Sequence, residues 1–305
     1  MARYVRIEEF GGPDVLSIVH DEQPQAGRGE VRVRVHSAGL NPVDYKIFHG
    51  GPAALRYEAV PPCGNGNDFA GIIDELGDGV AGFQIGDAVF GGKRMHAQAD
   101  FVVVDATRVL PKPAELSFEQ AGALDIAGRA AWASVASLNL SADDTVLIGA
   151  AAGGVGVLAG QLALRTGATV IGTASPANHD FLRGLGVIPV AYGDGLVDRV
   201  RAAAPTVTAA LDYNGAATID AALELGVPGK RINTIAARGH RAGAGITEVG
   251  GQAADINDLR TLAALIARGE IVLPIDRVFP LEQVQDAYRH LMAGHLRGKV
   301  VLATR

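Results

Sequence analysis

Val146-Leu147-Ile148-Gly149-Ala150-Ala151-Ala152-Gly153-Gly154-Val155-Gly156 is the stretch whose reading decides the fold. An apolar run suited to a strand enters a glycine turn, and Val157–Arg165 continues with a helical pattern. In that order the elements let backbone N–H groups approach a pyrophosphate, while the helix N-terminus adds partial positive charge. Ala151-x-Gly153-x-x-Gly156 keeps the Gly-x-Gly-x-x-Gly spacing with alanine at its first position. Thr145–Leu164 is twenty residues without a charge, long enough to span a bilayer. Its five glycines and Gln161 favour a strand, a turn and a buried helix instead.

Outward from the turn, Thr169–Ile171, Val187–Val190, Ala209–Leu211 and Ile232–Ile235 are short apolar runs separated by helical pattern. That rhythm predicts a parallel sheet with helices on both faces. Before residue 120 the pattern changes. Val31, Val33 and Val35 alternate with Arg32, Arg34 and His36, and Gly71–Ile73, Asp87–Phe90 and Phe101–Val104 sit between Gly-rich or charged turns. A compact, irregular barrel fits these runs. Beyond the sheet, Leu281, Val284, Tyr288 and Leu291 mark one helix face, Gly294 its stop, and Lys299-Val300-Val301-Leu302 a final strand. The expected class is α/β. A β-rich domain over 1–120 precedes a doubly wound dinucleotide-binding domain over 121–268, and 269–305 returns to the first.

Composition narrows the partners. The chain has 305 residues, of which 40 are glycine, and 48% are hydrophobic, enough for large cores and many tight turns. A net charge of -6 offers no basic face to a phosphate backbone, so no nucleic acid is expected. Cys63 is the single cysteine, which excludes an internal disulfide and any multi-cysteine zinc site. Arg3, Arg6, Glu8 and Glu9 interrupt the start, so a secretory signal is not expected and the cytoplasm is the expected compartment. The eight histidines show no metal-ligand spacing, and no Gly-x-Ser-x-Gly elbow is present.

The end of the next strand discriminates between nucleotides. An NAD site places Asp or Glu about 20 residues past the turn, to hold the ribose 2′-hydroxyl. Gly172–His179 carries no acid, whereas Ser175 and Asn178 offer donors to a 2′-phosphate and His179 or Arg183 adds charge. NADPH is therefore the expected cofactor. Ser175 also suits a helix N-cap, and the two roles are compatible.

Four stretches then carry a resemblance: Ala38-Gly39-Leu40-Asn41-Pro42-Val43-Asp44-Tyr45-Lys46, Gly86-Asp87-x-Val89-Phe90, Gly149–Gly156, and Gly294-His295-Leu296-Arg297-Gly298-Lys299-Val300-Val301-Leu302. Together they resemble the zinc-independent medium-chain dehydrogenase/reductases, in the branch of quinone oxidoreductases and enone (alkenal) reductases. The resemblance implies a GroES-like catalytic domain, a Rossmann domain, and NADPH clamped between them. It assigns Gly153, Gly154, Val155 and Gly156 to the pyrophosphate, Ser175 and Asn178 to the 2′-phosphate, and Tyr192 to the adenosine end. Ala236, Ala237 and Arg238 would border the nicotinamide, and Leu296 and Arg297 would close over the cofactor. It also implies a homodimer formed through the Rossmann domains. Zinc enzymes of the superfamily carry an early cysteine and a Gly-His-Glu motif; Leu40 or its neighbours and Gly66-Asn67-Asp68 stand there instead. No metal is expected. Asp125 and Arg129-Ala130-Ala131-Trp132 also depart from the usual Pro and Thr-Ala-Trp/Tyr, which suggests a charge pair at the substrate mouth.

Reducing an enone leaves negative charge on the carbonyl oxygen and requires one proton. Lys46 is the expected catalytic donor, to ribose hydroxyls or the oxyanion, with Tyr45 and Asn41 beside it. By residue type alone Lys46 is a solvated lysine and Asn41 a turn former, and the resemblance tips the reading toward catalysis. The expected function is NADPH-dependent reduction of a quinone or an α,β-unsaturated carbonyl. An enoyl-thioester reductase and a non-catalytic NADPH-binding redox sensor are the alternatives.

Overall fold

The computed structural model describes residues 1–304. In it the decisive stretch forms the strand Thr145–Ile148 and the helix Gly154–Leu164. Thr169–Thr173, Ile188–Val190, Ala209–Asp212 and Ile232–Thr234 join that strand in one parallel five-stranded sheet. In space the order runs 188–190, 169–173, 145–148, 209–212, 232–234, so the winding reverses beside Thr145–Ile148. A reversal of this kind opens a crevice at the carboxyl ends of the strands, where ligands bind.

Alternation within the strands sorts the two layers of helix. Val146 and Ile148 bury against helices Asp125–Ala136, Gly154–Leu164 and Ile256–Ala267. Leu147, Ile171 and Ala210 face the other way, toward Leu196–Ala203 and Ala216–Glu224. A sheet covered on both faces needs apolar residues at every position, and that is why these strands read as continuous runs.

The other lobe is antiparallel at its heart. Glu30–Gly39 pairs with Asp68–Leu76, Phe101–Asp105 and Lys299–Ala303, while Ala88–Gly92 and Val109–Pro111 extend the sheet. Val31, Val33 and Val35 are fully buried, and the arginines between them are not. The Lys299–Ala303 strand also takes Ile275–Pro280 as a parallel neighbour, which completes seven strands. A small sheet of Leu16–Asp21, Ala2–Ile7 and Cys63–Gly64 stands beside it. Helix Val284–Ala293 buries Val284, Ala287 and Tyr288 and stops at Gly294, whose φ is 75°. The short helices Pro42–Phe48 and Pro52–Tyr57 follow the lobe's long strand, and Pro42 and Tyr45 of the first reach the crevice.

One junction ties the lobes together at the glycine turn. Gly153 and Gly298 form a parallel bridge, and the Gly298 N–H donates to the Ala152 carbonyl at 2.8 Å. Gly298 has a φ of 82°, and a Cβ there would fall 2.0 Å from the Pro274 carbonyl oxygen, so the position requires glycine. Among the described residues no helix is long and apolar enough to cross a membrane.

Candidate active site

The turn after Thr145–Ile148 is shaped by its own backbone. Ala150 is left-handed, with φ 52°, and its N–H donates to Thr173 Oγ1 at 3.0 Å. The Ala151 N–H donates to the Thr173 carbonyl at 2.9 Å. These bonds aim the chain into a helix that begins at Gly154 without a side-chain cap. A Cβ on Gly156 would meet the Ala150 carbonyl oxygen at 2.2 Å, so the close turn depends on glycine there. Gly154, Val155 and Gly156 border the crevice, and an uncapped first turn presents donors and a positive dipole end to an anion. A dinucleotide pyrophosphate fits this cradle.

A cleft of about 430 Å³ lies between the lobes. Of the residues read from sequence, Gly153 to Gly156, Ser175, Asn178 and Tyr192 line its dinucleotide side. Asn41, Tyr45 and Leu296 line the side opposite. Ser175 caps the short turn Pro176–Asn178 by position and makes no side-chain capping bond. Asn178 is buried, and its amide is engaged by the closing segment: Arg297 Nε donates to its Oδ1 at 3.1 Å, and its Nδ2 donates to the Leu296 carbonyl at 3.4 Å. Arg297 also lies over the Phe181 ring at 4.8 Å. At the far end, Tyr192 Oη and His295 Nδ1 share a hydrogen bond of 2.9 Å across the cleft mouth.

Other expected residues lie elsewhere. Lys46 is exposed and does not line the cleft; its helix turns Asp44, Ile47 and Phe48 inward, which puts Lys46 on the solvent side. That geometry corrects the expectation of a cleft-facing Lys46. Ala236 and Ala237 follow the last sheet strand, but their N–H groups close on Thr234 Oγ1 at 3.2 and 3.0 Å, outside the cleft lining. Arg238 is exposed and pairs with Glu248 at 3.5 Å. Asp125 and Arg129 form the expected pair, at 2.9 Å, and neither residue is in the cleft lining.

Beneath the wall that carries Asn41 and Tyr45 lies a buried polar network, of which Asn41 alone is among the site residues expected from sequence. Lys299, 4% exposed, lines the cleft and donates to the Leu40 carbonyl at 2.7 Å and to Asn41 Oδ1 at 2.5 Å. Asn41 Nδ2 donates to Asp68 Oδ2 at 2.9 Å, and Asp68 Oδ1 accepts from the Ile126 N–H at 3.0 Å. Asp44 accepts from the Asn41 N–H, from Asn67 Nδ2 at 2.6 Å and from Tyr288 Oη at 3.2 Å. The Asn41 amide thus accepts from Lys299 and donates one of its two N–H groups to Asp68, which fixes its orientation. Burial raises Asp44 to about 6, against the hydrogen bonds it accepts and the Lys299 charge. Asp68 is raised to about 7 by burial, with Lys299 opposing and the Asp125 charge adding. Burial lowers Lys299, and the Asp68 and Asp44 charges oppose that. The signal available in sequence was a lysine opening an all-apolar strand.

The donor set at this floor does not suit zinc. Two carboxamides, the carboxyl groups of Asp44 and Asp68, and an ammonium 3.8 Å from Asp68 occupy the region, and the ammonium supplies the balancing cation. Among the described residues no group of three His, Cys, Asp or Glu side chains is arranged to hold a metal ion.

A β-rich lobe and a doubly wound sheet, with a glycine turn at their junction, form a two-lobed architecture around one cleft. Residues 27–114 match the alcohol dehydrogenase GroES-like domain, and residues 186–302 match the zinc-binding dehydrogenase family. The quinone oxidoreductase from Coxiella burnetii is 31% identical with a TM-score of 0.91, over 100% of this chain and 99% of that one. The quinone oxidoreductase of Rattus norvegicus is 37% identical over 57% of this chain and 53% of its own. The chain thus spans about half the length of the curated quinone oxidoreductases it matches. A mycobacterial structure in complex with NADPH is 26% identical, with a TM-score of 0.84, over 99% of this chain and 100% of that one. The chain belongs to the medium-chain dehydrogenase/reductase superfamily, in its quinone oxidoreductase branch.

Proposed function

We propose that this protein is an NADPH-dependent reductase of quinones or α,β-unsaturated carbonyls that works without catalytic zinc. The observation that carries the reading is one cleft with two unlike walls. An uncapped, glycine-built helix start faces a floor of Lys299, Asn41 and Asp68. When bound, the nucleotide supplies a hydride; the chain supplies its placement and the polar groups at the acceptor.

Gly153 to Gly156 would hold the pyrophosphate. The absence of an acid between Gly172 and Asn178 supports the phosphorylated nucleotide, with Ser175 free of a capping bond to face a 2′-phosphate. Arg297 adds a positive charge beside Asn178, which supports the same preference. Tyr45, half-buried on the opposite wall, closes the acceptor side, and its buried hydroxyl stays protonated above the usual tyrosine range. We also propose a homodimer, on the family resemblance; light scattering near 31.5 kDa at working concentration would count against it.

The test is NADPH consumption with a quinone, with an enone, and with no acceptor. Turnover with either acceptor and none without it supports the reading. Tight binding with no turnover on any acceptor would favour a redox sensor instead. Stoichiometric zinc by elemental analysis, with activity lost to a chelator, would overturn the zinc-free assignment.

A further inference from the structure

We propose that Lys299 is the acid that gives the acceptor its proton, and that Asp68 is the buried group that resupplies Lys299. This deepens the reductase reading and rests on it. Lys299 stands where the two lobes meet: Gly298, just before it, bonds to Ala152, and a Cβ on Gly154 would fall 2.6 Å from the Lys299 Cδ. The stem is thus wedged against the start of the helix Gly154–Leu164, and Lys299 is one of the residues that line the cleft. An ammonium has three N–H donors. Two go to the Leu40 carbonyl and Asn41 Oδ1, while Asp68 Oδ2, at 3.8 Å, is within ion-pair reach and beyond hydrogen-bond reach. One donor is left for a cleft ligand.

The surrounding charges favour a stored proton. Asp68, Asp44 and Asp125 are the carboxylates here, and Lys299 and Arg129 are the cations that face them. Tyr288 bonds Asp44 and Tyr57 lies near both Asp44 and Asp68, but neither hydroxyl brings positive charge. Three acids against two bases, all buried or nearly so, leave one carboxyl favoured in its neutral form. Asp68 is fully buried and faces the most neighbouring charge, and burial pushes it up toward neutrality. Burial pushes Lys299 the other way, which makes its ammonium a better acid than a solvated lysine.

The step balances. As hydride from NADPH forms the new C–H bond, the π electrons of the acceptor move to its carbonyl oxygen. That oxygen takes a proton from Lys299, whose N–H bond breaks and whose nitrogen keeps the electron pair. The neutral amine then swings from its 3.8 Å separation into hydrogen-bond contact with Asp68 and takes its proton, which restores the ammonium and leaves a carboxylate beside it. Between turnovers a solvated proton entering the emptied cleft recharges the pair through Lys299, because Asp68 itself is fully buried.

The experiment compares Lys299→Met and Lys299→Arg with the unmodified protein, using a quinone and an enone. Lys299→Met should lower kcat by roughly 10²- to 10⁴-fold, the range for losing a general acid. It should also abolish the fall in rate as pH rises through the Lys299 ionisation. Lys299→Arg should not restore the rate, because a guanidinium does not give up its proton. NADPH affinity, read by nucleotide fluorescence, should stay within about threefold in both variants. A second readout needs neither nucleotide nor turnover: the Lys299 Nζ resonance in nucleotide-free protein should titrate below the ordinary lysine range, and lower still in Asp68→Asn. That titration decides the matter if Lys299→Met fails to fold. Titration at or above the ordinary lysine range overturns the proposal, as does unchanged kcat in Lys299→Met. So does a large loss of NADPH affinity with kcat kept, which would make Lys299 a phosphate clamp. If no acceptor is reduced by the unmodified protein, the reductase reading falls and takes this inference with it. If acceptors are reduced and Lys299→Met is as fast, this inference alone falls.

Discussion

The two walls of the cleft are built from different materials. The dinucleotide wall is backbone: a left-handed Ala150, a Gly156 pressed on the Ala150 carbonyl, and an uncapped helix start, all within residues 149–156. The catalytic wall is side chain: Asn41, Asp44, Asn67, Asp68, Tyr288 and Lys299 meet from five separate elements or loops. A backbone site depends on local spacing and tolerates many side chains. A side-chain network depends on every member, because a buried polar group that loses its partner bears the full desolvation cost.

The sharpest way to break the comparison is at Asp44. Asp44→Ala strands the Asn41 N–H, the Asn67 amide and the Tyr288 hydroxyl together, and should lower unfolding stability by about 3 kcal/mol in a denaturant titration. A loss below about 1 kcal/mol would mean that the network relaxes as easily as a surface cluster. Its pH signature has a definite sign. Asp44 and Asp68, raised to about 6 and about 7 from 3.8, hold protons in the folded state that the unfolded chain has already released. Their contribution is therefore full below about pH 4 and is lost as pH rises through 6 to 7, with a slope of at most ~1.4 kcal/mol per pH unit per group. Asp44→Asn should flatten part of that slope in melts taken across this window.

The backbone wall is probed at Gly156. Gly156→Val forces the turn away from the Ala150 carbonyl, and NADPH binding by fluorescence should weaken by ~100-fold or more, about 2.7 kcal/mol. Retained affinity would show that the turn is packing and not cradle. A smaller effect is expected between nucleotides: NADPH should bind at least ~tenfold tighter than NADH, about 1.4 kcal/mol. Ser175→Asp should narrow that gap by repelling the 2′-phosphate, and equal affinities in the unmodified protein would remove the basis for the preference. The smallest effect belongs to Lys46. It lies outside both walls, so Lys46→Ala should change stability by no more than ~0.5 kcal/mol and leave kcat unchanged.

Legibility in the sequence follows the same division. The five parallel strands were readable because burial on both faces forces unbroken apolar runs, as in Val146-Leu147-Ile148. The Glu30–Gly39 strand was readable because one buried face forces alternation. The glycine turn was readable because Gly153 and Gly156 answer to the Ala150 carbonyl a few residues away, although Gly149 and Gly154 answer to Thr218 and Lys299, distant in the chain. Lys46 misled the reading, since a lysine in a family-like stretch carries no mark of which helix face it occupies. Lys299 is illegible for the opposite reason: in sequence it is one residue of a strand, and its partners at Leu40, Asn41 and Asp68 lie far away in the chain. Asp44 is partly local, because Asn41-x-x-Asp44 is a capping box, but its bonds to Asn67 and Tyr288 are not.

The strand Lys299–Ala303 has a consequence for how the molecule is made. It pairs with Glu30–Gly39, and its lysine bonds to Leu40 across 259 positions of chain. The five-stranded sheet, by contrast, is assembled from consecutive segments between Thr145 and Thr234. As the chain emerges from the ribosome, that sheet can close while the first lobe still lacks the strand that seals it. For that interval the Ser37–Gly39 end of that strand, beyond its pairing with Phe101–Asp105, presents an unpaired edge, the kind of surface that invites association between nascent chains. The lobe that carries the acid is thus the last to become safe, and shortening the wait for its final strand, by circular permutation for instance, should reduce aggregation during synthesis.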